Sequence, residues 1–154
     1  MILLSPVETP ARKTEICNLV LRSLPDWFGI EESLLDYTRD VQPMSFWAAM
    51  DGDAPVGFAA LKVHNACTAE MYVMGVLPSY HRQGIGRRLI AQCVQASRAQ
   101  GLGFLTVKTL DASAGSEPYD RTRAFYLEMG FLPVEVFPDL WGPQNPCLLL
   151  LMPL

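Results

Sequence analysis

The sequence predicts an α/β or α+β chain built on one mixed, mostly antiparallel sheet, and three observations predict it. The chain has 154 residues, half of them hydrophobic, which is enough for one core without help from disulfides or metals. Period-two and period-3.6 patterns alternate along it, with no internal repeat. Their order is strand, two helices, three strands, helix, strand, helix and two strands, or about seven strands with four helices. Residues 1–154 are expected to form a single domain.

Residues 2 to 7 suit a short first strand, after which Thr9 caps and Pro10 starts a helix whose apolar positions Ile16, Leu19, Val20 and Leu24 follow helical spacing. Pro25 and Gly29 bracket a break containing Trp27-Phe28, and a second, short helix runs from Glu31 to Thr38. Ser45 to Met50 reads as a strand, Asp51-Gly52-Asp53 as a hairpin turn and Val56 to His64 as the returning strand. Thr68 to Val76 is the fourth strand, ended by Pro78. Gly86 to Gln100 is amphipathic, with Leu89, Ile90, Cys93, Val94 and Ser97 on one face and arginines and glutamines on the other. Gly101 stops it. Phe104 to Leu110 is a strand, Asp111 to Pro118 a loop, and Tyr119 to Met129 a last helix ending at Gly130. Strands near Phe131 to Phe137 and Cys147 to Leu151 flank the loop Pro138 to Pro146.

Composition excludes several classes. A net charge of −4 argues against a nucleic-acid partner, which calls for a basic surface, and is compatible with a cationic substrate such as an amine. No stretch approaches the roughly 20 apolar residues that span a bilayer, and Ser5-Pro6 cuts short the apolar start, so no membrane anchor or signal peptide is expected. The four cysteines, Cys17, Cys67, Cys93 and Cys147, form no C-x-x-C pair and sit in apolar neighbourhoods, which predicts buried free thiols in a cytoplasmic protein and no metal site.

The segment that carries chemistry is His81-Arg82-Gln83-Gly84-Ile85-Gly86. Its glycines let backbone N–H groups turn inward, and the following helix adds its positive N-terminal end, a combination that binds a diphosphate. Arg82, Arg87 and Arg88 add flexible positive charge at the rim. A lone G-x-G is weak, and an ordinary tight turn would explain it equally. A dinucleotide-binding turn would start a strand-helix-strand repeat and carry a third glycine, where this chain has Leu89. A P-loop would need G-K-[ST].

Coming after the fourth strand, the turn resembles the [Q/R]-x-x-G-x-[G/A] fingerprint of the GCN5-related N-acetyltransferases, with His81 standing where Gln or Arg is usual. The resemblance extends over nearly the full length. Thr122-Arg123-Ala124-Phe125-Tyr126-Leu127-Glu128-Met129-Gly130-Phe131 looks like that family's second signature, a helix reading F-Y-x-x-x-G-F. The resemblance implies a sheet splayed between the fourth and fifth strands and acetyl-CoA as cosubstrate. It implies that the main chain from His81 and Arg82 through Gln83, Gly84, Ile85 and Gly86 to Arg87 holds the pyrophosphate, while Gly75-Val76 pairs with the pantetheine arm. A glycine in a strand often marks a close approach, which suits Gly75.

Acetyl transfer to an amine needs a neutral amine, a polarised carbonyl and a proton for the departing thiolate. By resemblance Tyr126 protonates the sulfur, as a phenol still protonated at pH 7 can; packing under the sheet would also explain it. Glu70 shares a strand face with Tyr72 and Met74 if no bulge intervenes, and some relatives use a glutamate there as the base. A solvated strand-end carboxylate is the other reading of Glu70. The Val76 N–H is the candidate polarising donor. His64-Asn65 reads as turn chemistry, and Asp120, Arg121 and Arg123 as helix-start and surface charges. Tyr119 stands where many relatives carry an asparagine that contacts the cofactor, so that contact does not carry over.

Relatives enclose the acceptor with the loop between the first two helices and with the last pair of strands, which hold Trp27, Phe28 and Trp141 here. An aromatic wall suits an apolar or cationic acceptor, although tryptophans also fill cores. The expected activity is transfer of an acetyl group from acetyl-CoA to a primary amine of a small molecule, by direct attack and without a metal, in a monomer or homodimer. A non-catalytic acyl-CoA-binding sensor, a peptide or protein amine as acceptor, and a nucleotide-binding protein using the same turn are the alternatives.

Overall fold

The computed structural model describes residues 1–154. Its elements follow the predicted order: β1 (Ile2–Pro6), α1 (Pro10–Arg22), α2 (Glu31–Asp40), β2 (Ser45–Asp51), β3 (Ala54–Val63), β4 (Thr68–Val76), α3 (Ile85–Ala99), β5 (Phe104–Leu110), α4 (Glu117–Glu128), β6 (Leu132–Phe137) and β7 (Cys147–Pro153). Short 3-10 turns at Pro78–Tyr80 and Ala112–Ala114 are additions. Boundaries moved where local chemistry outweighed periodicity. Helix α4 starts at Glu117, ahead of the predicted Tyr119, because Pro118 in the first turn presets helical φ at no cost in hydrogen bonds. Strand β3 ends before His64, whose N–H turns to the Thr68 carbonyl at 2.9 Å to close the hairpin.

The strands form one sheet in the order β1-β2-β3-β4-β5-β7-β6. Strands β4 and β5 pair in parallel through Thr68↔Phe104, Ala69↔Leu105 and Glu70↔Thr106. These pairs lie at the start of a nine-residue strand, and the parallel pairing makes the sheet mixed, as the resemblance implies.

Two compact units divide the chain. One comprises Met1–Lys62 with Met71–Ala96. Helix α1 lays Ile16, Cys17, Val20, Leu21 and Leu24 on Phe46, Ala48, Phe58, Ala60 and Val73 of the sheet, with Phe46 and Phe58 stacked 5.0 Å apart. Each such side chain stabilises by about 1.5–3 kcal/mol on full burial. Lys13 closes the connection into β2, its Nζ donating to the Met44 carbonyl at 2.6 Å and that of Gln42 at 3.1 Å. The predicted close approach at Gly75 is to α1: a Cβ there would come within 2.9 Å of Val20 and 3.1 Å of Leu24.

The second unit comprises Val63–Glu70 with Ser97–Leu154. Strand β7 pairs antiparallel with β5 from Phe104↔Pro153 to Leu110↔Cys147, and with β6 on its other side. Leu105, Val107, Phe131, Leu150 and Tyr126 are buried there. Arg123 ties α4 to the end of β5, donating to the Leu110 carbonyl at 2.6 Å, and pairs with Asp120.

All four cysteines are free, and one departs from expectation. Cys67 is exposed, because the Asn65 side chain accepts from the Cys67 and Thr68 amides and turns the tip of the hairpin outward. Burial pushes the other thiols above their ordinary 9.0, to about 12 for Cys17 and Cys93 and about 11 for Cys147. At pH 8 the native protein should therefore show one thiol fast toward Ellman's reagent and four after denaturation. The sign of the linkage follows from pKa values raised by folding: these thiols favour the folded state below pH 9 and cease to do so as pH climbs towards 11–12, so melting should shift down over that window. No helix is long and apolar enough to cross a membrane.

Candidate active site

Between β4 and α3 the main chain takes the shape the glycine turn predicts. Gly84 lies at φ +78°, and Arg82 lies at +63°, a left-handed conformation that costs a side-chain-bearing residue roughly 1–2 kcal/mol. Alternation of left- and right-handed residues turns successive N–H groups toward one side, the arrangement that holds an anion. The Arg88 N–H bonds the Gly84 carbonyl at 3.1 Å, and the amides of Ile85 and Gly86 ahead of it belong to the set a helix start leaves without helical acceptors. Ile85 is buried and anchors the turn, while residues 81–84 and Arg87 are exposed. Arg88 differs from expectation: its guanidinium donates to the Ile2 carbonyl at 3.0 Å and is a structural tie to β1, not a flexible rim charge.

His81, the odd residue of the fingerprint, has a defined role in this turn. Its Nε2 lies 2.6 Å from the Val76 carbonyl oxygen. A carbonyl only accepts, so Nε2 carries the proton and the ring pins the exit of β4. The Leu77 N–H holds the same exit to β3 through the Val56 carbonyl at 2.8 Å. Trp27 packs edge-on against His81, with ring centroids 6.0 Å apart. Phe28 packs edge-on against Tyr37, and Tyr37 against Tyr72, whose hydroxyl donates to Asp40 at 2.6 Å. Trp27 and Phe28 are half-buried against the core, so both have a packing role in this unit.

In the other unit, Glu70 is not a solvated strand-end carboxylate. It is 3% exposed, and two cations or potential cations hold it. Lys108 Nζ lies 3.2 and 3.3 Å from its two oxygens, and His64 Nε2 lies 2.7 Å from Oε1. The register explains Lys108: Glu70 pairs with Thr106 in β5, and Lys108 is two residues further on the same face. His64 reaches Glu70 because the tight turn at Asn65 folds the end of β3 back along β4. Neither partner was anticipated from sequence.

Tyr126 is 7% exposed on α4, edge-on to Phe131 at 5.6 Å and beside Phe125 at 5.8 Å. Trp141 is 37% exposed in the β6–β7 loop. The turn, Gly75, Val76, Trp27 and Phe28 thus fall in one unit, and Glu70, Tyr126 and Trp141 in the other.

Comparison with known proteins gives these features a family. A family model described as the acetyltransferase (GNAT) family matches residues 13–131. The chain belongs to the GNAT acetyltransferase family. Among curated relatives, a mycothiol acetyltransferase from Beutenbergia cavernae is 35% identical over 120 residues, which are 77% of this chain and 34% of that protein. This chain therefore spans about a third of that relative's length. A protein from Bacillus subtilis described as an uncharacterized N-acetyltransferase is 28% identical over 66% of this chain and 65% of its own. In fold, the chain superposes on a GNAT acetyltransferase from Elizabethkingia anophelis, solved with acetyl-CoA bound, at a TM-score of 0.70 and 18% identity, covering 99% of this chain and 98% of that one. The matched residues 13–131 include the turn in which His81 stands.

Proposed function

We propose that the chain is an acetyl-CoA-dependent N-acetyltransferase that acetylates a primary amine of a small molecule by direct transfer, the 154 residues acting as one catalytic domain. The observation that carries this reading is the left-handed pair Arg82 and Gly84 immediately ahead of α3, in a chain of the GNAT family. Such a cradle of amides fits a diphosphate and needs no specific side chain. Acetyl-CoA supplies the activated acetyl group as a thioester. In this reading, the amides from about Arg82 to Arg87 and the His81-pinned end of β4 at Gly75-Val76 hold the cosubstrate. The Val76 N–H polarises the carbonyl, Tyr126 protonates the thiolate, and Glu70 serves removal of the amine proton. Trp27, Phe28 and Trp141 are the candidate acceptor walls, suited to a cationic or aromatic amine.

The test is a turnover screen with acetyl-CoA, read by release of free thiol, across tyramine, spermidine, glucosamine, lysine and an alanyl peptide. Turnover of a small amine above that of the peptide is the expected result. Thermal stabilisation by acetyl-CoA without thiol release from any amine would identify a sensor module. Competition by ATP or NAD would point to a nucleotide site.

A further inference from the structure

Acetylating an ammonium ejects one proton net. The nitrogen loses two protons as the N–C bond forms and the C–S bond breaks, and the sulfur gains one. A group able to take a proton near neutral pH must therefore meet the amine and then discharge to water. Glu70 is poorly built to do this alone. It is 3% exposed, and its oxygens are taken by Lys108 and His64.

His64 has the opposite properties. Its side chain is 34% exposed against 5% for that of Glu70, so the imidazole stands between the buried carboxylate and solvent. Glu70 with Lys108 beside it forms a charge-balanced pair, and an ionised carboxylate only accepts. The 2.7 Å contact therefore requires a proton on His64 Nε2. In the neutral ring this leaves the lone pair on Nδ1, the atom facing away from the carboxylate. A buried carboxylate holding one ring nitrogen so that the other serves as base is the arrangement of catalytic dyads on unrelated folds. Glu70 from β4 faces the ring directly, and Lys108 from β5 and Cys147 from β7 lie by that carboxylate, the last a thiol that burial keeps protonated. Lys108 is committed to the carboxylate, its Nζ meeting both Glu70 oxygens.

We propose that His64 Nδ1 is the base that receives the amine proton, and that Glu70 acts through it as a positioning residue. The proton moves from the ammonium to Nδ1, Glu70 stabilises the imidazolium through Nε2–H, and the partly exposed ring returns the proton to water. This role rests on the acetyltransferase reading above and assigns the base within it.

The test compares His64→Ala, His64→Gln and Glu70→Gln with the wild type, using the best amine of the screen and acetyl-CoA. Thermal stabilisation by acetyl-CoA checks that each variant is folded. The expected result is a loss of at least 100-fold in kcat for both His64 variants with little change in KM for acetyl-CoA. The rising limb of the pH–rate profile should disappear, and 4-methylimidazole should partly rescue His64→Ala. Independently of any acceptor, nitrogen-15 NMR of the imidazole should show the Nε2–H tautomer in the wild type and its loss in Glu70→Gln. Retention of kcat within threefold by His64→Gln, while Glu70→Gln loses it, would overturn the assignment and make Glu70 the base. An Nδ1–H tautomer in the wild type would overturn it as well. Absence of turnover by the wild type with every amine would instead remove the acetyltransferase reading, and this role with it.

Discussion

Glu70→Gln should lower kcat by on the order of 10²–10⁴-fold, the range spanned by loss of a general base or of the carboxylate that orients one. The size follows from where the carboxylate sits. Glutamine keeps the volume and can still meet His64 and Lys108, so the fold should survive. It can also donate, however, and an amide N–H aimed at Nε2 selects the opposite tautomer of the ring. The charge that balances Lys108 and would stabilise an imidazolium is lost in the same step. Because Glu70 is not among the residues proposed to hold acetyl-CoA, KM for acetyl-CoA should change little. Steady-state kinetics with the best amine of the screen provides the check, and a KM effect without a kcat effect would contradict the role.

Tyr126→Phe should lower kcat at least tenfold and leave acetyl-CoA affinity nearly intact. Phenylalanine preserves the edge-on packing on Phe131 and the neighbouring Phe125 ring, so the substitution removes the hydroxyl and keeps the ring contacts. If that hydroxyl supplies the proton to the leaving thiolate, the loss appears in the transfer step. A substrate analogue whose leaving thiol has a lower pKa needs the proton less, and should narrow the gap between wild type and variant. Unchanged turnover would leave Tyr126 as a core residue of α4.

The order of elements was legible because each strand or helix carries its own period and its own punctuation, such as Pro10, Gly52, Pro78 and Gly101. The glycine turn was legible for a related reason: backbone conformation there depends on Gly84, and glycine is visible in a sequence. What could not be read were side chains meeting across elements. Lys108 is 38 residues from Glu70 in sequence and becomes its partner only through the parallel register of β4 with β5. His64 was read as turn chemistry, yet the hairpin that Asn65 shapes is what carries the imidazole back to the carboxylate. His81 departs from the motif as a sequence, and the Val76 carbonyl it holds meets it only in the folded turn. Arg88 stands beside the turn in sequence, yet its guanidinium ties α3 to β1 through the Ile2 carbonyl.

The short parallel pairing at the start of β4 also sets an order of events for the nascent chain. Hairpins β2–β3 and β6–β7 join neighbours in sequence and close cheaply, whereas Thr68 must wait for Phe104, some 36 residues later, with all of α3 between them. Glu70 is the last of the three residues so paired, and Lys108 arrives on the same strand. Until that closure the carboxylate has only the local imidazole for company, so its ion pair with Lys108 is completed late, as one of the non-local contacts of its unit.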